Sequence, residues 1–270
     1  MKIHPRIIIL LSIPVLITSC SNYKSSTTLI PGSVPLSTES TNAAHSSTMS
    51  PTQNYTTKSL PDDRESFTIP DPVYVPEVIP PILDGIHSPS EWTGAAVDFF
   101  ADGSELLFMH ANGYIYLGVR AKEPRMIAAN VLIHHGDQIY LMHSSAALGT
   151  AVYKQNASDW QQTQDFTWQC RSTSMTDVAQ SERVAFLQQE GWLAANARMG
   201  TPNELEYQIK IPDQDYRIAV VYIKSTRPYE KVPWPPGLDD ACIQPTQSGL
   251  PKILEFSPDQ WRVLQLLESN

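Results

Sequence analysis

Cysteine and positive charge are both scarce in this sequence. The 270 residues include 3 cysteines, and 19 lysines and arginines stand against 28 aspartates and glutamates, for a formal charge of −9 at pH 7. A nucleic-acid binder needs a basic patch or stripe to meet phosphate, and none is present. Basic clusters that would attract anionic lipid head groups are missing as well. We therefore expect no nucleic-acid partner and no membrane binding through a charged surface.

Motifs for catalysis and metal binding are also missing. The sequence has no Gly-x-Ser-x-Gly turn, no glycine-rich phosphate loop, no His-Glu-x-x-His and no Cys-x-x-Cys. His134 and His135 are adjacent on a predicted strand, where neighbouring side chains point to opposite faces, so they cannot both face one metal ion. We expect neither enzyme activity nor a metal or cofactor.

The longest apolar run lies at the N-terminus and is too short to span a membrane. It extends from Ile7 to Ile17, is interrupted by Ser12 and Pro14, and follows the positive residues Lys2 and Arg6. A membrane-spanning helix needs roughly 20 apolar residues. A positive start, a short apolar run and small residues are typical of a secretory signal peptide, which we predict over residues 1–19.

The end of this run, Leu16-Ile17-Thr18-Ser19-Cys20, resembles the lipobox of bacterial lipoproteins. In that family an aliphatic residue lies three positions before the cysteine and a small residue lies directly before it. The resemblance implies that Cys20 becomes the lipidated first residue of the mature protein. It also implies a bacterial cell envelope, with the domain exported and the lipid as the membrane contact. The residue after the cysteine is Ser21 and not aspartate, which for a bacterial lipoprotein implies sorting to the outer membrane or cell surface.

The rest of the chain divides by composition. Residues 20–66 are rich in Ser and Thr and poor in large apolar side chains, so they cannot bury enough surface to offset the entropy of ordering. We predict a disordered tether there. Residues 67–270 are long enough for one sizeable core.

Alternating apolar residues and short turns over residues 67–270 predict an all-β fold, an antiparallel β-sandwich. Asn112-Gly113 and Gly136-Asp137 mark hairpin turns between strand candidates. One short helix or a long loop is predicted around residues 174–189. The Pro- and Gly-rich stretch 228–251 is predicted to be irregular.

Cys170 and Cys242 are the two cysteines of the folded part. In an exported protein such a pair is a candidate disulfide, and two buried thiols are the alternative.

Three motifs, in order, resemble the family 9 carbohydrate-binding modules and the related DOMON-like sandwiches. They are Ile82-Leu83-Asp84-Gly85 with Glu91-Trp92, the stretch from Asn112 to Pro124, and the strand from Leu205 to Pro212. The resemblance spans about residues 80–267. It implies an antiparallel β-sandwich that is not an enzyme by itself and that binds a saccharide or, in some DOMON relatives, haem.

Trp160, Trp168 and Trp234 are the candidate ligand-binding residues. Each lies in a polar or irregular setting with an aspartate nearby, and flat aromatic faces are what sugar rings stack on. The alternative for each is packing in the core or at its rim.

The sequence therefore favours non-catalytic binding of a saccharide or cell-envelope glycan. One alternative is a haem-binding electron-transfer module that uses Met142 or a histidine. Another is a scaffold or protein-interaction domain without a small ligand, which would bury its tryptophans in the core.

Overall fold

The computed structural model describes residues 71–171, 176–196, 202–211, 216–243, 245 and 249–268. The predicted signal peptide, Cys20 and the tether lie outside the described residues, as does Pro212 of the third motif. The division of the chain into signal, tether and domain therefore stays a prediction.

Fourteen strands and one α-helix are described, with one short 3-10 turn. The elements are β1 (Val73–Pro76), β2 (Ala96–Phe99), β3 (Glu105–Ala111), β4 (Tyr114–Arg120), β5 (Ile127–His135), β6 (Gln138–Ser144), β7 (Ala147–Asn156), β8 (Asp159–Arg171), α1 (Asp177–Glu190), β9 (Trp192–Asn196), β10 (Glu204–Lys210), β11 (Arg217–Lys224), β12 (Glu230–Trp234), β13 (Ile253–Leu254), the 3-10 turn (Pro258–Gln260) and β14 (Arg262–Leu267).

The strands form two sheets. The larger has nine strands in the order β1-β14-β11-β5-β6-β7-β8-β13, with β12 also paired to β11, and the smaller has five in the order β2-β3-β4-β10-β9. Neighbouring strands are antiparallel except β1, which runs parallel to β14. Side chains of both sheets form a common apolar core. The structure confirms the predicted antiparallel β-sandwich.

The predicted hairpin turns are present because their residues tolerate left-handed backbone. Asn112 and Gly113 have φ of 52° and 77°, and Gly136 has φ of 61°. Asn-Gly is the pair that suits a two-residue hairpin turn with positive φ at both positions. The turn at Asn112-Gly113 sets the register of β3 on β4, in which Ala111 pairs with Tyr114.

The segment after β12 covers the outer face of the larger sheet. Leu238, Ile243, Phe256 and Trp261 are buried there in a second apolar cluster. Part of the stretch predicted to be irregular is strand β12, which contains Pro233. Proline lacks a backbone N–H and is tolerated at the edge of a sheet, which explains why the sequence pattern did not indicate this strand.

The segment predicted as a helix or a long loop is the helix α1. The Thr176 side chain accepts a hydrogen bond from the backbone N–H of Ala179, and Gly191 ends the helix with φ of 74°. Phe186 and Ala179 face the sandwich. Among the helices in the described ranges, none has the length and apolar character needed to cross a membrane.

Candidate ligand-binding site

Two of the three predicted tryptophans are buried. Trp160 is 3% exposed and donates its indole N–H to the carbonyl of Phe256 over 3.2 Å. Trp234 is 2% exposed and packs against Phe108, with ring centroids 5.2 Å apart. Neither ring has a free face for a sugar, so the expectation of an exposed platform at these two positions is corrected.

Trp168 is 52% exposed and lies beside a β-bulge. The pairing of β7 with β8 shifts between Leu148, which faces Cys170, and Gly149, which faces Trp168. Trp168 shares the outer face of the larger sheet with Phe166, two residues before it, and its ring meets Phe166 and His143 edge-on at 4.9 Å and 5.3 Å. Beyond the shift, Cys170 faces the core between the sheets. The three predicted tryptophans are therefore not brought together.

Gly149 is required for this aromatic group. A Cβ at Gly149 would lie 2.5 Å from the Phe166 ring and 2.7 Å from the carbonyl oxygen of Thr167. Any side chain larger than hydrogen would displace the ring.

The predicted disulfide is not formed. Cys170 packs against the core between the sheets, whereas Cys242 packs against the outer cluster, so the larger sheet separates the two thiols. The shift in pairing between residues 168 and 170 turns Cys170 to the inner face, which the sequence did not indicate.

The histidines lie apart, as their positions on the strands predict. His135 lines a cleft between the sheets, and His134 lies against Trp160 on the other face. His143 is buried with its Nδ1 2.6 Å from Asn130 Oδ1, and burial lowers its pKa to about 4. In the described part of the chain, no three His, Cys, Asp or Glu side chains come together as a metal site.

The cleft exists because the five-stranded sheet covers only part of the inner face of the nine-stranded sheet. Strand β9 ends the smaller sheet above β6, and α1 packs over β8 beside it. A cleft of about 480 Å³ remains between the C-terminus of α1, the ends of β9 and β10, and the inner face of β5 to β8. This volume lies within the usual range of small-molecule sites, roughly 300–1,000 Å³.

Aromatic side chains lie both at the surface and at the base of the cleft. Tyr140 is 36% exposed, and its hydroxyl donates to Gln138 Oε1 over 2.7 Å. Trp192 is 1% exposed beneath the cleft and donates its indole N–H to Thr150 Oγ1 over 2.9 Å. The Tyr140 ring is thus accessible to a ligand. The fluorescence of Trp192 would respond to a ligand in the cleft.

A carboxylate is fixed in position at the helix end of the cleft. Glu190 is the last residue of α1, and its Oε1 accepts hydrogen bonds from Gln169 Nε2 at 3.4 Å and Gln189 Nε2 at 3.1 Å. Gln164 and Lys210 also line the cleft. A carboxylate held by two amides, with further polar side chains beside it, can hydrogen-bond the hydroxyls of a polar ligand.

The first and third resemblance motifs meet elsewhere, at the carboxylate of Glu206 on the outer face of the smaller sheet. Glu206 Oε2 accepts from the backbone N–H groups of Asp84 (3.0 Å) and Gly85 (2.7 Å), and Oε1 accepts from Trp92 Nε1 (3.0 Å). Burial raises the pKa of Glu206 to about 8, and the hydrogen bonds oppose that rise. These residues secure the segment before β2 to the sheet.

His87 adds a second attachment for the same segment. Its backbone N–H donates to Glu204 Oε2 over 3.0 Å, and its ring lies against Gly118, where a Cβ would be 2.9 Å from His87 Cε1. Burial lowers the pKa of His87 to about 4. Most residues of the resemblance motifs therefore serve the fold, although Ile209, Lys210 and Ile211 at the end of the third motif line the cleft.

The structure thus defines a β-sandwich with a cleft at the open edge between its sheets. The chain matches no protein-family model, and no curated protein matches it. Among solved structures it is similar to a proposed carbohydrate-binding protein from Bacteroides uniformis ATCC 8492. The two share 12% sequence identity with a TM-score of 0.41, over 73% of this chain and 99% of the other. The resemblance to family 9 modules stays a prediction.

Met142 and His135, which were named from the sequence, line the cleft, but its other polar and aromatic residues were missed. Tyr140, Thr150, Gln164, Glu190 and Lys210 come from five different elements, and only Lys210 belongs to one of the motifs named in the sequence. The sequence did contain one signal, Glu190 directly before the helix-ending Gly191. An acidic residue at the C-terminal end of a helix is unfavourable, so its presence there calls for a reason.

Proposed function

We propose that this chain is a lipid-anchored surface protein whose β-sandwich binds a saccharide without catalysis. The observation that carries the proposal is the cleft of about 480 Å³, in which the exposed ring of Tyr140 lies with a carboxylate held by two glutamine amides. Saccharides present an apolar ring face and several hydroxyls, and such sites combine aromatic surface with a few fixed polar groups.

The lipid anchor in this proposal rests on the sequence. The signal peptide pattern and the lipobox-like residues before Cys20 imply export and lipidation. A lipid at Cys20, followed by a polar tether, would hold the sandwich outside the membrane with its cleft free.

A glycan array probed with the purified full-length protein tests saccharide binding. We expect saturable binding that changes tryptophan fluorescence, because Trp192 underlies the cleft and is bonded to Thr150 in its wall. The variant Trp192→Phe should keep the binding and lose most of the fluorescence change. An array on which a folded sample binds nothing would contradict the proposal.

The second candidate is a scaffold or protein-interaction domain. Five of the six tryptophans are at most 7% exposed, which is what that hypothesis predicts. The exposed ring of Trp168, braced by Phe166 and His143, would then be the contact surface. A blank glycan array together with loss of a protein partner in Trp168→Ala would favour this candidate.

A further inference from the structure

Glu190 lies where a negative charge is unfavourable. It is the last residue of α1, and no basic residue lies in the final turn of that helix. The unpaired carbonyls at a helix C-terminus carry partial negative charge, so an acid there is destabilising and a cation is stabilising. Residues that break a local rule in this way are concentrated at functional sites.

The partners of Glu190 do not neutralise its charge. Both hydrogen bonds that it accepts come from neutral amides, Gln169 and Gln189, and both go to Oε1. Across the described ranges of the chain, the ion pairs include none with Glu190. Its second oxygen, Oε2, is therefore available to a ligand, beside the negative end of the helix.

The other ionisable groups of the cleft lie on different elements. His135 ends β5, Tyr140 lies on β6, and Lys210 ends β10 with an exposed side chain. The backbone N–H of Lys210 donates to the carbonyl of Gly191 over 2.8 Å, which fixes the strand beside the helix end. The helix side of the cleft thus combines an acid with the helix C-terminus.

We propose that Glu190 binds a cationic group of the ligand, so that the cleft prefers a saccharide with a free amino group to the same saccharide carrying an N-acetyl group. This inference rests on the proposed saccharide binding. An ammonium would donate to Glu190 Oε2 and would also compensate the helix end, whereas an acetamide is uncharged and bulkier.

The test compares three β-1,4-linked disaccharides by titration calorimetry on the full-length protein. The ligands are the glucosamine dimer, its N,N′-diacetyl form, and the glucose dimer. We expect the glucosamine dimer to bind about tenfold more tightly than either of the others, the size of one charge-assisted contact. Higher salt should weaken its binding more than theirs.

Two variants assign the preference to Glu190. Glu190→Gln should reduce affinity for the glucosamine dimer about tenfold and remove the preference. Glu182→Gln is the matched control, because Glu182 is an exposed acid of the same helix and does not line the cleft. It should keep both the affinity and the preference.

The outcomes separate this inference from the proposed function. Equal or tighter binding of the acetylated or glucose dimer overturns the preference and leaves saccharide binding intact. Absence of binding by the glucosamine dimer, or a preference that survives Glu190→Gln, also overturns the inference. A blank glycan array overturns the proposed function with it.

Discussion

Replacement of Trp92 by phenylalanine tests how the segment before β2 is held. The indole N–H of Trp92 donates to Glu206 Oε1 over 3.0 Å, and Glu206 is fully buried. Phenylalanine keeps an aromatic ring at this site and removes the donor. Glu206 then retains two N–H donors, those of Asp84 and Gly85.

The expected loss depends on the charge of Glu206. Its pKa of about 8 makes the carboxyl ionised at pH 9 and protonated at pH 6 in the folded state. A hydrogen bond to a charged group contributes about 1.5–3 kcal/mol, and one between neutral groups about 0.5–1.5 kcal/mol. Trp92→Phe should therefore reduce the free energy of unfolding by about 1 kcal/mol more at pH 9 than at pH 6.

The sign follows from proton linkage. Because the pKa of Glu206 is raised on folding, its contribution to stability is full below the unfolded-state pKa of about 4.5 and falls as pH rises to about 8. The Trp92 N–H lowers this pKa, so its removal makes the fall with pH larger.

Urea unfolding followed by far-ultraviolet circular dichroism at pH 6 and pH 9 measures both values. Trp261→Phe is the matched control, because Trp261 is fully buried and its Nε1 has no hydrogen-bond partner among the described residues. It should lower stability equally at both pH values. Equal losses for Trp92→Phe at the two pH values would refute the reasoning.

Three other predictions concern stability and anchoring. His143 and His87 have pKa values lowered to about 4 in the folded state. Between pH 6.5 and pH 4 the unfolded state therefore binds more protons than the folded state, and the free energy of unfolding should fall as the pH is lowered over this range. His143→Gln should flatten this fall in a series of thermal melts. Gly149→Ala should lower the free energy of unfolding by about 1–3 kcal/mol, because its Cβ meets the Phe166 ring, and adding Phe166→Leu should recover part of the loss in urea titrations. Cys20→Ser should move the protein from the membrane fraction to the soluble fraction; continued membrane association would contradict lipidation at Cys20.

Features set by neighbouring residues could be predicted from the sequence. The hairpin at Asn112-Gly113 needs positive φ at adjacent positions, which this pair accepts, and the alternation of Ile115, Leu117 and Val119 sets the buried face of β4. The segment around residues 174–189 was predicted as a short helix or a long loop, and Gly191 is the residue that ends α1. These local rules suffice for the class of fold.

Features set by distant contacts could not be predicted in the same way. The bulge between β7 and β8 places Trp168 and Cys170 on opposite faces of the larger sheet, and the segment after β12 buries Trp160. The cleft arises from the difference in strand number between the two sheets, which no single stretch of sequence records. Glu190 and Tyr140 line the same cleft only because the folded chain packs α1 beside β8.

The position of the binding site is tested most directly by titration calorimetry with the tightest saccharide from the array. The titration compares the wild-type protein with Tyr140→Ala and Trp168→Ala, which remove exposed aromatic rings on opposite faces of the larger sheet. We predict that Tyr140→Ala weakens binding at least about tenfold, since it removes a stacked ring, while Trp168→Ala leaves the affinity unchanged. Loss of binding in Trp168→Ala with full affinity in Tyr140→Ala would contradict the cleft as the saccharide site.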